Sequence, residues 1–106
     1  MRILFDQGTP APLRLALTGH DVSTAHELGW STLKNGELLE AAEAAGFSLL
    51  LTTDTNLKYQ QNLASRRIAI VVLSTTSWPR IKVANDEVVR AVQSSAPGSY
   101  AEVRIP

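Results

Sequence analysis

The sequence predicts an α/β protein, a three-layer α/β/α sandwich built on a mostly parallel five-stranded sheet. Continuous apolar runs, typical of strands buried on both faces, alternate along the chain with segments rich in helix-forming residues. Glycine, proline, asparagine and aspartate stand between the two kinds of segment. The chain has 106 residues and contains neither a long linker nor an internal repeat. We therefore expect residues 1–106 to form a single domain.

Five segments are predicted as strands. In chain order they are Arg2–Phe5, Asp21–Ala25, Phe47–Leu51, Ile68–Leu73 and Tyr100–Ile105. The fourth is the clearest, because it is β-branched and uninterrupted. The first runs directly into a turn, and the last alternates in polarity as a terminal edge strand does.

Four helices are predicted between these strands. In chain order they are Pro10–Gly19, Gly36–Ala45, Asn56–Ser65 and Arg80–Ser94. In the first, Leu13, Ala16 and Leu17 form an apolar face with helical spacing, and proline is tolerated in its first turn. The second consists of strong helix formers and is closed by Gly46.

Composition excludes several classes of protein. The chain has no cysteine, which removes a disulfide framework, a thiolate zinc site and a cysteine nucleophile. Its longest apolar run is six residues, whereas a membrane-spanning helix needs about 20. We therefore expect a cytoplasmic protein without a membrane partner. Ten basic and ten acidic residues give zero net charge, which argues against a strongly basic nucleic-acid coat protein.

The zero net charge hides two oppositely charged segments. Residues 21–54 have a balance of −5, and residues 55–85, the basic segment, have a balance of +5. Four cations of the basic segment are candidate RNA contacts: Lys58, Arg66, Arg67 and Arg80. Two solvated surfaces of opposite charge, or a homodimer formed through them, would explain the same pattern.

Two aspartates are predicted at one end of the sheet. Asp6 follows the first strand and Asp54 follows the third, and parallel strands finish at the same end. Glu37, at the start of the second helix, is a third carboxylate within reach. Three carboxylates would suit Mg²⁺ or Mn²⁺, because these hard ions take oxygen ligands and activate water.

Each carboxylate also has a purely structural explanation. Asp6 can form a turn into the first helix, Asp54 can cap the third, and the helix dipole alone favours Glu37. Thr75 lies in a loop of four Ser and Thr residues after the fourth strand, where it can line a phosphate site or simply form a polar loop.

Four segments carry a resemblance to a known family. They are Leu4-Phe5-Asp6-Gln7-Gly8-Thr9-Pro10, Gly19-His20-Asp21-Val22, Glu37-Leu38-Leu39-Glu40-Ala41-Ala42 and Leu51-Thr52-Thr53-Asp54. Together they resemble the small PIN-like family of unknown function, which is related to the PIN-domain toxins of bacterial toxin–antitoxin pairs. The similarity covers roughly the first two-thirds of the chain. It implies an α/β/α sandwich and a metal-dependent ribonuclease ancestry.

The resemblance also implies which residues form the site. It maps an acidic metal site onto Asp6 and onto Asp54 of the T-x-D segment, in which Thr53 is the middle residue, and it maps a helix-start glutamate onto Glu37. Three positions that are commonly acidic in the family are amides here and would line the site: Gln7, Asn35 and Asn56. An amide can ligate through its carbonyl oxygen but carries no charge.

Three functions are therefore compatible with the sequence. The first is a Mg²⁺- or Mn²⁺-dependent ribonuclease, as the toxin partner of a small antitoxin. The second is a non-catalytic module on the same fold that binds RNA or a protein. The third is a receiver-like phospho-acceptor domain in which Asp54 and Thr75 have the functional roles; the lack of an acidic neighbour beside Asp6 counts against it.

Overall fold

The computed structural model describes residues 1–60, 63 and 65–106, and it confirms the predicted sandwich. The five strands are β1 (Arg2–Phe5), β2 (Asp21–Thr24), β3 (Leu49–Thr52), β4 (Ala69–Leu73) and β5 (Tyr100–Val103). They form one sheet in the order β2-β1-β3-β4-β5, and each adjacent pair is parallel. The last strand lies at an edge of the sheet, as its alternating pattern predicts.

Helices cover both faces of this sheet. They are a 3₁₀ helix (Ala11–Ala16), α1 (Asn35–Ala44), α2 (Leu57–Gln60), α3 (Trp78–Val83) and α4 (Asn85–Gln93). One apolar layer joins the sheet to α1 and α2 and contains Leu39 and Leu57. The opposite layer joins it to the 3₁₀ helix, α3 and α4 and contains Leu13, Ile81 and Val88. All five of these side chains are at most 1% exposed, so the sheet is buried on both faces.

The first predicted helix has a tighter form than expected. Within it the Leu13 N–H donates to the carbonyl oxygen of Pro10, and the Leu17 N–H donates to that of Arg14. These bonds span three residues and define a 3₁₀ helix. The helical segment is only six residues long, and 3₁₀ turns are typical of such short pieces.

The last predicted helix, Arg80–Ser94, is wrong as a single element. The chain is helical from Trp78 and breaks at Ala84, whose φ of −102° and ψ of 19° lie outside the helical region. Asn85 and Asp86 follow the break. Such residues favour helix starts over helix interiors, because their side chains compete for backbone hydrogen bonds and an acid suits the helix dipole.

Several other boundaries differ from the predicted ones, most of them by one or two residues. Strand β3 begins two residues after the predicted start, because the Phe47 N–H donates to the Ala42 carbonyl oxygen and closes α1. The predicted helix Asn56–Ser65 is described only as α2, and its residues 61, 62 and 64 lie outside the described part of the chain. None of the described helices is long and apolar enough to cross a membrane.

Candidate functional site

The order of the strands creates a switch point between β1 and β3. From β1 the chain moves to β2 on one side, and it later returns to add β3 on the other side. In open parallel sheets ligands bind beyond the strand ends at such a point. Asp6 directly follows β1, and Asp54 lies two residues beyond the end of β3. The two predicted aspartates therefore flank the switch point.

Two threonine hydroxyls hold the Asp6 carboxylate. Thr9 Oγ1 donates to Asp6 Oδ1 at 2.6 Å, and Thr52 Oγ1 donates to Asp6 Oδ2. Thr9 and Thr52 are 5% and 2% exposed, and they are the buried polar side chains of the described residues. Thr9 Oγ1 also lies 2.9 Å from the Leu51 carbonyl oxygen. This contact connects the turn after β1 to strand β3.

The same Thr52 hydroxyl connects Asp6 to Asp54. The Asp54 N–H donates to Thr52 Oγ1 at 3.0 Å. The Asp54 carboxylate accepts a bond from Asn35 Nδ2 on Oδ2 at 2.8 Å and one from the Asn56 N–H on Oδ1 at 3.0 Å. One continuous network therefore joins the end of β1, the end of β3 and the start of α1.

Glu37 lies outside this network. Its Oε1 accepts a hydrogen bond from the Lys34 N–H at 3.1 Å, and its side chain is exposed on the first turn of α1. Glu37 therefore has the structural role that its position at a helix start also allows, in which its carboxylate accepts a hydrogen bond from an N–H that has no acceptor within the helix. The described residues contain no group of three acids or histidines that could hold a metal ion.

The remaining predicted lining residues lie on the loops at this end of the sheet. Gln7 and Asn56 are exposed, and Thr53 is half-buried. A Cβ at Gly8 would lie 2.5 Å from Thr53 Oγ1, so the loop after β1 approaches the loop after β3 more closely than a side chain would allow. Thr75 Oγ1 accepts the Ser77 N–H at 3.1 Å and shapes the loop after β4.

A further acid at this end is already paired. Glu27 follows β2, and its Oε1 lies 2.5 Å from Arg14 Nη2. The Arg14 guanidinium, helped by the Thr24 N–H, lowers the pKa of Glu27 to about 2. Glu27 is therefore ionised at neutral pH, and its carboxylate is already bound by the Arg14 guanidinium and by the Thr24 N–H.

The four candidate RNA contacts do not share one surface. Lys58, at the start of α2, lies 3.1 Å from Glu102, and Arg80 donates to the carbonyl oxygens of Ile105 and Pro106. Arg66 and Arg67 precede β4 and so lie toward the opposite end of the sheet. The cations of the basic segment are thus divided between the two ends of the sheet, and Lys58 and Arg80 already bind other groups of the protein.

Arg66 of the basic segment pairs with Glu43, which lies among residues 21–54, and this is the most buried of the salt bridges between described residues. Its Nη1 donates to Glu43 Oε1 at 2.9 Å, and the Arg67 N–H donates to Glu43 Oε2 at 2.8 Å. Burial alone would raise the pKa of Glu43. The hydrogen bonds from Arg66 and from the backbone outweigh burial, and the pKa is lowered from 4.5.

This contact predicts how stability depends on pH. Because the pKa of Glu43 is lower in the folded protein, the unfolded chain takes up the proton first, and stability is lost as the pH falls below 4.5 toward the folded value. Glu43→Gln is expected to cost about 1 kcal/mol of unfolding free energy at neutral pH and to flatten the acid loss. Urea unfolding at neutral and acid pH measures both. An acid loss of unchanged steepness would contradict the assignment, and Glu40→Gln on the exposed side of α1 is the control.

A large cleft lies far from the aspartates. It has a volume of about 510 Å³ and lies where the strands begin, with Phe47, Ile68 and Ala69 among its lining residues. Pocket size alone would favour this cleft as the site. We favour the switch point, because the linked aspartates lie there.

Thr9 and Thr52 are the site residues that sequence reasoning missed. The available signal is their spacing, three residues after Asp6 and two residues before Asp54. Threonine at such short distances from an aspartate is common in turns. Their importance lies in the contacts that they make across the sheet.

The chain is thus a parallel α/β sandwich with an aspartate–hydroxyl network at its switch point. No protein-family profile, curated protein or solved structure matches it.

Proposed function

We propose that this chain is a PIN-like, Mg²⁺- or Mn²⁺-dependent ribonuclease whose cation is held by Asp6 and Asp54. One observation carries the proposal: the two aspartates follow neighbouring strands at the switch point, and one buried threonine hydroxyl, that of Thr52, bonds both the Asp6 carboxylate and the Asp54 backbone N–H. A structural turn or a helix cap explains each aspartate separately. Neither explains why the two are joined across the sheet at the position where ligands bind.

The types of oxygen ligand at the switch point suit a hard divalent cation. Carboxylate, amide and hydroxyl oxygens are present, and they suit Mg²⁺ or Mn²⁺. The site has only two carboxylates, because the third predicted one, Glu37, accepts a hydrogen bond from the Lys34 N–H at the start of α1 instead. When bound, the ion would activate water and stabilise the charge that develops on a phosphodiester. Thr9 and Thr52 orient the Asp6 carboxylate, while Asn35 orients that of Asp54.

The proposal includes the partners. RNA would approach over the loops that follow β1, β3 and β4, where Thr53 and Thr75 lie, with Arg80 on the adjoining helix α3. A small antitoxin-like protein that covers this end would block the RNA. Both partners would be met in the cytoplasm.

A non-catalytic RNA- or protein-binding module is the second candidate, and a specific contact favours it. The Asn35 amide donates to Asp54 at 2.8 Å, and each oxygen of the two carboxylates accepts at least one hydrogen bond from the protein. The carboxylates are therefore stabilised without a cation. The two candidates differ in whether a cation competes successfully for these oxygens.

Mn²⁺ binding separates the two candidates. Asp54→Asn is expected to weaken the binding of Mn²⁺ at least about tenfold, because a charged ligand is lost while the shape is kept. Electron paramagnetic resonance of free Mn²⁺ measures the affinity, and Glu40→Gln, an exposed acid on α1, is the matched control. Equal binding by Asp54→Asn and the unaltered chain would refute the cation site. No binding by either protein at millimolar Mn²⁺ would refute the cation site and support the second candidate.

A further inference from the structure

Asn35 is followed by glycine at the start of α1. In an Asn-Gly pair the backbone nitrogen of glycine reaches the asparagine side chain with little hindrance, because glycine has no Cβ. We propose that Asn35 is a deamidation site, and that the aspartate formed there makes with Asp54 a stronger divalent-cation site. The second half of this proposal rests on the proposed function, whereas the first half does not.

The reaction needs only water. The Gly36 nitrogen attacks Cγ of Asn35, a new N–Cγ bond closes a five-membered imide, and the Cγ–Nδ2 bond breaks. The nitrogen that leaves takes up the proton of the Gly36 N–H and departs as ammonia. Water then opens the imide at one of its two carbonyls and gives aspartate or isoaspartate. No oxidant or reductant takes part.

The position of Asn35 makes this attack feasible. Asn35 is half-buried, so water reaches it, and it is the first residue of α1. The first N–H groups of a helix have no acceptor within the helix, so the Gly36 N–H is not part of the helical ladder. The first turn must still open before the ring can close. Among the contacts that resist opening are Lys34 N–H to Glu37 Oε1 at 3.1 Å and Leu38 N–H to the Lys34 carbonyl oxygen at 2.7 Å. The hydrogen bond from Asn35 Nδ2 to Asp54 Oδ2 at 2.8 Å also holds the side chain that must turn toward the Gly36 nitrogen.

The product would reverse the electrostatics of the site. At present Asn35 Nδ2 donates to Asp54 Oδ2 at 2.8 Å. An aspartate at this position replaces the donor with a second carboxylate within hydrogen-bond distance, and two like charges so close favour either protonation or a shared cation. Mg²⁺ and Mn²⁺ take carboxylate oxygens from two side chains readily. Isoaspartate routes the main chain through its side chain, so it does not keep this geometry.

Incubation of the full chain at alkaline pH tests the first half. Peptide mass spectrometry with fragmentation should locate the amide-to-acid mass increase at Asn35, and it should find none at Asn56 or Asn85, which precede larger residues. Gly36→Ala should slow the reaction severalfold, and Glu37→Ala should accelerate it by loosening the first turn. No mass increase at Asn35, or an unchanged rate in Gly36→Ala, would overturn the deamidation site.

Mn²⁺ affinity of Asn35→Asp tests the second half. This variant should bind Mn²⁺ about tenfold more tightly than the unaltered chain. If it binds no more tightly while Asp54→Asn still weakens binding, the strengthened site is refuted and the proposed function stands. If neither variant changes Mn²⁺ binding, the proposed function fails as well. The deamidation result is independent of both outcomes.

Discussion

Asp6→Asn is expected to reduce Mn²⁺-dependent RNA cleavage at least about 100-fold, the scale of losing a preorganised charged group at a reacting centre. The amide keeps the shape of the carboxylate but loses its charge. It also turns one acceptor into a donor that meets the hydroxyl of Thr9 or Thr52. The initial rate of cleavage of a fluorescently labelled RNA measures the loss.

Asp21→Asn is the matched control for this loss. Asp21 is an exposed acid at the start of β2, at the end of the sheet opposite the switch point. Its variant should cleave at the unaltered rate. If the unaltered chain cleaves RNA and Asp6→Asn cleaves it equally well, Asp6 has no part in the reaction.

Thr52→Val is expected to lower the free energy of unfolding by about 1–3 kcal/mol, although valine has nearly the same shape. Thr52 is 2% exposed, and removal of its hydroxyl leaves the Asp6 Oδ2 and the Asp54 N–H without their shared partner. The same variant should weaken Mn²⁺ binding about tenfold, because loss of a hydrogen bond that orients a ligand lowers metal affinity. Urea unfolding and Mn²⁺ titration measure the two effects.

Thr52→Ser keeps the hydroxyl and distinguishes the network from simple packing. It removes one buried methyl group, so it should lose some stability but retain the Mn²⁺ affinity. If Thr52→Ser loses Mn²⁺ affinity as fully as Thr52→Val does, the hydroxyl is not what links the two aspartates.

The sheet could be predicted from the sequence because its strands carry a strong local signal. The β4 run of β-branched residues and the apolar residues of β3 have few alternatives to buried strands. The break at Ala84 could not be predicted in this way. Ala84 is itself a good helix former, and the preference for a helix start at Asn85 and Asp86 became evident only in the structure.

The site was predictable in part for the same reason. Asp6 and Asp54 follow strands, and parallel strands bring their ends together, so their common location follows from topology. The roles of Thr9 and Thr52 depend on the register that pairs Phe5 with Leu51, which no local pattern specifies. For Glu37 the sequence position was misleading. A glutamate in the first turn of α1 can reach the site, but the same position lets its carboxylate accept a hydrogen bond from the Lys34 N–H.

A single Mn²⁺ titration, with bound Mn²⁺ and RNA cleavage recorded in the same sample, tests the central claim most directly. If Asp6 and Asp54 form a catalytic cation site, the cleavage rate rises in proportion to the bound fraction, and Asp54→Asn shifts both curves to higher Mn²⁺ together. Saturation of the site without any RNA cleavage would contradict a ribonuclease, and cleavage that is independent of the bound fraction would contradict the site.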